Sequence, residues 1–412
     1  MTYDVVIVGG SASGAACSIL LAKLGLRVRV IEKQPSASAY KKLCTHFIQP
    51  SAVPVLSLLG MPHLTHATHS VRTRATFITP AGVIDPDGFY GAQQDQYALN
   101  LERSVLDPAL RQQAQACGVE IGYAQSVTQV QRCAQGWRVT VESDEQTFNI
   151  EGRLLVAADG RMSSLARLLG NVQQSFENQR ATFFAYCSGI EAPADNRSLF
   201  AHHENGMAFL YPLINGRTLL SAYISKEAAA QWHAQDARRS LVAFFAAIAD
   251  MPAMDNVVFE TPVRGYQDYP NLTRQPVCQD VAFIGDAVQS LDPMSGVGCS
   301  FALQTAAMLG QAVQATMQQG VINVSQALAN YQRQFNDYFP FHARGIIADA
   351  LIAKDEEGHK STFQTILNDP ELQRQYRDLT GRLISPAAFQ NKFLVSKIRQ
   401  TAFERKVLAK QQ

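Results

Sequence analysis

The chain has 412 residues, enough for one large α/β body or two domains with sizeable cores. It is 47% hydrophobic and 17% charged with a net charge of +1, a globular composition that gives no general case for nucleic acid or acidic polymers. No apolar run approaches the roughly eighteen residues of a membrane span, and the seven cysteines show neither C-x-x-C nor disulfide spacing. With no basic, cleavable leader in its first residues, the chain is expected in a reducing, cytosolic compartment.

The first element is an apolar strand, Val5 to Val8, running into the turn Gly9-Gly-Ser-Ala-Ser-Gly14 and a helix of small and aliphatic residues, Ala15 to Leu24. Gly25 stops that helix, and a second strand, Leu26 to Ile31, ends on Glu32-Lys33. This order suits a dinucleotide. Gly9 allows the tight turn, Gly14 lets helix and strand pack closely, and the free N–H groups at the helix start attract a pyrophosphate. Glu32 stands where a carboxylate accepts ribose hydroxyls. Ser11 replaces the middle glycine of G-x-G-x-x-G and is small enough for backbone approach.

Further along, Asp107-Pro108 reads as a helix start and Gly118 as its stop. Val119 to Tyr123 follows as a strand. Ser126 to Arg132 and Trp137 to Glu142 alternate around Gly136 as an antiparallel ribbon. Leu154 to Ala158 is an all-apolar strand ending at Asp159-Gly160. Thr182 to Ile190, Met207 to Pro212 and Leu219 to Ile224 read as a second, antiparallel sheet, with Thr73 to Ile84 and Ala92 to Asn100 as further strands of it. Ala228 to Met251 is helical, and His202-His203 reads as a solvated turn near Asn205-Gly206. Val281 to Ile284 returns to a buried parallel strand, followed by Gly285-Asp286, the loop Pro293-Met-Ser-Gly296-Val297-Gly298 and an apolar helix to about Met317. Residues 340–412 are helical in pattern.

The glycine turn with Glu32, Asp159-Gly160 and Gly285-Asp286 with its Pro/Gly loop are each weak signals. Their order resembles the FAD-dependent single-component monooxygenases with the glutathione-reductase-type FAD fold, and their neighbours the geranylgeranyl reductases and flavin-dependent halogenases, over about residues 1–330. The resemblance implies an α/β fold in which a Rossmann-like parallel sheet carries an inserted antiparallel-sheet substrate domain and a helical C-terminal region. Its expected boundaries are 1–72, 101–180 and 266–335 for the FAD domain, 73–100 and 181–265 for the sheet domain, and 336–412 for the helices. It also implies FAD contacts at Gly9, Ser11, Ser13, Gly14, Glu32 and Lys33; at Lys42; at Arg103 near the pyrophosphate; at Val127 by the adenine; at Asp159-Gly160; at Asp286 on the ribitol; and at Pro293, Gly296, Val297 and Gly298 along the flavin ring. A helix N-terminus after that loop would stabilise negative charge on reduced flavin.

The implied activity is a monooxygenase: NAD(P)H reduces FAD transiently, dioxygen gives a C4a-(hydro)peroxyflavin, and one oxygen passes to a small, mostly apolar organic molecule. The expected outcome is hydroxylation, epoxidation or a Baeyer–Villiger insertion. With one dinucleotide fingerprint, NAD(P)H would bind on the FAD body, or a partner reductase would supply reduced flavin. The chain departs from the family at Gln289, where a His is usual, and lacks the Trp-x-Trp-x-Ile-Pro signature of halogenases; Ala208 to Pro212 stands there instead. The alternatives are a geranylgeranyl-reductase-like double-bond reductase, which the Cys44 loop and basic tail favour, and a flavoprotein without catalysis.

His46, Gln93, Tyr97 and Tyr211 are candidates for the substrate side, each read equally as ordinary core or hydrogen-bond filling. His63, His66 and His69 recur every third residue, a step that drifts around a helix, and no metal site is expected. The tail Lys392 to Lys410 is basic and amphipathic: it reads as a packing helix with a solvated basic face, or as a membrane-surface element.

Overall fold

The computed structural model describes residues 2–144, 146–204, 206–234, 236–351 and 356–411, of which 233, 234, 356–359, 399 and 401–411 are described by backbone alone. The N-terminal body is a sheet in which Val277–Cys278, Val281–Phe283, Thr147–Ala157, Thr2–Val8, Val28–Ile31 and Glu120–Gly122 lie side by side. The four inner strands and Glu120–Gly122 run parallel. Val5 to Ile7 and Leu154 to Ala157 are fully buried, as strands covered on both faces must be. The helix Ala12–Lys23 supplies one cover and is itself buried nearly all round, packing on helices Arg103–Ala116 and Gly298–Gln314.

Thr147–Ala157 serves two partners. Its first half pairs antiparallel with Gly136–Glu142, which pairs in turn with Ser126–Cys133; its second half pairs parallel with Thr2–Val8. The apolar strand expected at Leu154 to Ala158 is therefore the inner end of a longer one. The helix expected to start at Asp107-Pro108 instead runs Arg103–Ala116 with Pro108 inside it. Glu102 is its N-cap, so the missing N–H of Pro108 falls early in the helix. Its buried residues Arg103, Asp107 and Arg111 are four apart and share one face.

The second sheet runs Val258–Phe259, Arg180–Ser188, Thr218–Ser225, Gly206–Pro212, Ser198–His203, Ala75–Thr79 and Gly82–Ile84, antiparallel except where Ser198–His203 meets Ala75–Thr79. His202 and His203 thus end a strand rather than form a turn; Asn205 lies outside the described residues. Ala92 to Asn100 does not join this sheet. Its last three residues, Ala98–Asn100, pair with Phe47–Ile48 and Val71–Thr73 in a small separate sheet, and the rest is loop.

Strand alternation gives the second sheet two apolar faces. Ala181, Phe183, Ala185 and Leu220 pack under the helices Lys226–Ala234 and Ala237–Ala246. Phe184, Phe209, Tyr211 and Tyr223 point the other way, into an aromatic cluster closed by Phe363, Leu372, Tyr376 and Phe389 of the helices Glu356–Leu367, Pro370–Thr380 and Pro386–Gln411. Buried Arg377 holds this cover down, donating to the carbonyls of Pro86 (2.7 Å) and Phe89 (2.6 Å). Among the described residues no helix is long and apolar enough to cross a membrane.

Candidate active site

The site begins at the glycine turn. Gly9 has φ +99°, and a Cβ there would come within 2.3 Å of the Ala158 carbonyl oxygen. A Cβ on Gly14 would lie 1.8 Å from the oxygen of Gly9, so the helix can sit this close to the strand only with glycine at both positions. Ser11 is the helix N-cap, yet its hydroxyl does not cap the helix. It accepts instead from Arg103 Nη2 at 2.9 Å, leaving the first-turn N–H groups without a side-chain cap. Glu32 is buried, accepting from the backbone N–H of Gly10 through Oε2 and of Gln34 through Oε1 (2.7 Å). Each oxygen keeps a lone pair for a further donor.

These residues open onto a cleft of about 610 Å³. Gly9, Ser11, Ser13, Glu32, Lys33, Val127, Arg103, Asp159, Gly160, Asp286 and Gly298 line it, and Arg103, Asp286 and Gly298 also line the chamber that adjoins it. Gly14 lies beneath the turn and supports it. Lys42 is exposed and does not line the cleft; its neighbour Lys41 does, and its Nζ lies 3.1 Å from Asp286 Oδ2. Asp286 holds the Lys41 ammonium well above its ordinary range.

The polar face of helix Arg103–Ala116 aims at the turn. Asp107 grips Arg103 with two hydrogen bonds (Nε to Oδ1 2.7 Å, Nη2 to Oδ2 3.0 Å) and accepts from the Lys41 N–H at 3.1 Å. Arg111 donates to the carbonyls of Gly10 (2.9 Å) and Ala37 (2.8 Å). Arg111 and Lys41 were not foreseen as site residues. The 103, 107, 111 spacing was a signal for the first, and the irregular segment around Lys41 has no periodicity to read. Asp159 accepts from the Leu165 N–H at 3.1 Å through Oδ2, while its buried Oδ1 has no partner among the described residues. Burial lifts this carboxyl above its usual range against hydrogen bonds from Ser163 and Leu165.

Past Asp286 the cleft continues into a chamber of about 60 Å³, where Leu43, Phe47, Phe184, Leu291 and Pro293 supply apolar walls and Lys41, Arg103 and Asp286 a charged one. Gly296 has φ +61°, and Val297 is the N-cap of helix Gly298–Gln314 with no side-chain cap bond, so this helix too presents uncapped N–H groups at the chamber floor. Asp292 fixes the loop by accepting from the Met294 N–H at 3.1 Å.

His46 is buried beside the chamber with φ +60°. Its Nδ1 accepts from the Arg103 N–H at 3.0 Å and its Nε2 meets the Tyr186 hydroxyl. Its backbone N–H reaches Cys44 Sγ at 3.3 Å. Burial works to raise the Cys44 thiol, but hydrogen bonding from His46 and the cations of Arg103 and Lys41 bring it down to about 6. Tyr211 is fully buried, and its hydroxyl lies beside Thr45 without a well-formed hydrogen bond. Gln93 sits on an exposed loop, and Tyr97 lies under the Arg72 guanidinium, 4.6 Å from its ring centre; neither lines the cleft or the chamber. His63 and His69 contact edge to face at 5.7 Å, and among the described residues no group of three His, Cys, Asp or Glu is placed to hold a metal.

The donor set suits FAD. Two uncapped helix N-termini face one cleft, Glu32 and Asp286 line it with oxygens to accept hydroxyl donors, and the buried Asp159 Oδ1 in its wall has no partner among the described residues.

The comparisons agree. A family model described as an FAD binding domain matches residues 2–334. A digeranylgeranylglycerophospholipid reductase of Methanococcus vannielii is 24% identical over 51% of this chain, so the chain matches about half (49%) of that relative's length. A second such reductase, from Methanothermobacter thermautotrophicus, is 22% identical over 93% of this chain and 94% of its own. The 12-dehydrotetracycline 5-monooxygenase/anhydrotetracycline 6-monooxygenase of Streptomyces rimosus is 26% identical over 93% of this chain and 77% of its own. Among solved structures, p-nitrophenol 4-monooxygenase from Pseudomonas putida superposes with a TM-score of 0.76 at 17% identity, covering 93% of this chain and 99% of that one. A flavin-dependent brominase superposes at 0.74 and 19%, covering 97% and 100%.

Proposed function

The chain belongs to the FAD binding domain family, and from that premise we propose that it is a monooxygenase that places one oxygen atom of dioxygen on a small, mostly apolar organic substrate, the second leaving as water, with NAD(P)H as the electron source. The observation that carries this reading is the continuity of the cofactor cleft with a chamber that has an apolar wall, at Asp286 and Gly298, both of which line the cleft and the chamber together. Bound FAD supplies the redox chemistry, taking electrons from NAD(P)H and activating dioxygen.

The chain's own groups do the rest. The turn N–H groups and Arg103 would hold the diphosphate, Glu32 the adenosine ribose and Asp286 the ribitol. The N-terminus of helix Gly298–Gln314 would favour negative charge on the ring above it. Leu43, Phe47, Phe184 and Leu291 orient an apolar substrate and exclude water, which protects a reactive oxygen species from wasteful loss. The test is NAD(P)H consumption by the FAD-loaded protein across a substrate panel in air and under argon, with labelled dioxygen. Label in the product supports the reading; substrate-dependent turnover undiminished under argon sinks it.

A second reading is a double-bond reductase. The specific observation favouring it is Cys44, whose lowered thiol lines the chamber and could sit beside a reduced ring. The same argon experiment separates the two, because reduction of a carbon–carbon double bond consumes no oxygen.

A further inference from the structure

The last helix, Pro386–Gln411, carries two apolar stripes, and the protein covers one of them. Phe389, Phe393 and Ser396 face inward. The Phe389 ring lies 5.9 Å from Tyr376 and 6.1 Å from Phe393, and Ser396 Oγ donates to Asp369 Oδ2 at 2.9 Å. Leu394, Val395 and Ile398 lie on the opposite face, exposed by 51%, 49% and 68%. Single exposed apolar residues need no explanation, but three at positions i, i+1 and i+4 of one helix form a patch.

Charge says what fits that patch. Lys392 and Lys397 lie exposed beside it. The sequence from 386 to 411 holds six Lys/Arg against Glu404 alone, in a chain whose net charge is +1. Among the described residues, Glu371 pairs with Arg374 and with Lys392 of this helix, and Asp369 accepts from Ser396. A second copy docking face to face would bring two basic helices together and is disfavoured. An anionic bilayer takes both features, burying the apolar residues at the headgroup boundary and attracting the segment's excess positive charge.

We propose that the helix Pro386–Gln411 docks the protein on an anionic lipid surface, lying in the plane of the interface with Leu394, Val395 and Ile398 inserted.

The test is flotation of the FAD-loaded full chain with phosphatidylcholine vesicles that contain or lack about one third phosphatidylserine. The chain should float with the anionic vesicles, release as salt is raised, and stay behind with neutral ones. The triple variant Leu394→Ser/Val395→Ser/Ile398→Ser should keep its FAD and lose at least about tenfold in bound fraction. If that variant loses its FAD, Lys392→Gln/Lys397→Gln takes its place and should bind anionic vesicles several-fold less. No flotation, equal binding to both vesicles, or a solution dimer that the triple variant dissociates overturns the proposal. A failed substrate screen leaves it standing.

Discussion

Arg180 and Asp292 form a buried ion pair, Nη1 to Oδ2 at 2.6 Å, that ties the first residue of a sheet strand to the loop Pro293–Gly298. The same guanidinium reaches Asp349 Oδ2 at 3.1 Å on the helix Val324–Ala350. Three separate parts of the chain therefore meet at one side chain beside that loop.

Breaking the pair should cost more than the pair is worth. Arg180→Met leaves the Asp292 carboxylate buried without its cation, a loss of about 3–5 kcal/mol. Thermal melts should show it, and FAD titration should show weaker binding because the loop loses its anchor. Arg180→Met/Asp292→Asn should be less damaged than the two single changes added together. A single Arg180→Met that melts and binds FAD like the parent would remove the loop-anchoring role.

The glycine turn gives a graded test. Gly14→Ala places a Cβ at 1.8 Å from backbone that cannot yield, and should cost more than about 4 kcal/mol, giving protein that is insoluble or free of FAD. Ser11→Gly restores the usual motif yet removes the hydroxyl that holds Arg103 Nη2. It should cost about 1 kcal/mol, read as a roughly fivefold rise in the FAD dissociation constant. An unchanged constant would make Ser11 a passive replacement for glycine.

Much of this was legible in sequence because it is local. The strand, turn, helix and acid from Val5 to Glu32 follow one another within about thirty residues, and the structure keeps their order. Ser11 read as tolerated, while the structure gives it a partner 92 residues away, which no local pattern could show. Ala92 to Asn100 was assigned to the wrong sheet because three strand residues after the irregular stretch 85–97 carry no pairing information. Lys42 was chosen over Lys41 for the same reason: in an irregular loop, which of two adjacent side chains faces inward is decided by tertiary contact, here Asp286.

Cys44 gives a pH-dependent readout. Its thiol lies at about 6 in the folded protein against an ordinary 9.0. The unfolded chain therefore keeps the proton up to about pH 9 where the folded chain has released it. The contribution to stability is fully present above pH 9 and is lost as pH falls through about 6. In FAD-free protein, alkylation of Cys44 should rise with a midpoint near pH 6, and Cys44→Ser should flatten the stability gain between pH 6 and 9. A midpoint near 9 would mean that His46, Arg103 and Lys41 do not stabilise a thiolate.

Tyr211 separates a catalytic hydroxyl from a structural ring. Its side chain is fully buried in the aromatic cluster, its ring 5.7 Å from Phe47, and its oxygen lacks a well-formed hydrogen bond. Burial, with the neighbouring Tyr223 hydroxyl adding to it, pushes its ionisation well above the ordinary tyrosine value, so it stays neutral through the working range of pH. An unsatisfied buried hydroxyl is a cost, and Tyr211→Phe removes it while keeping the ring. The variant should be as stable as the parent or more so by about 1 kcal/mol, with turnover within about twofold. Tyr211→Ala should instead lose about 3–5 kcal/mol through the cavity it leaves. A large fall in kcat for Tyr211→Phe at unchanged stability would restore the hydroxyl as a group that touches substrate.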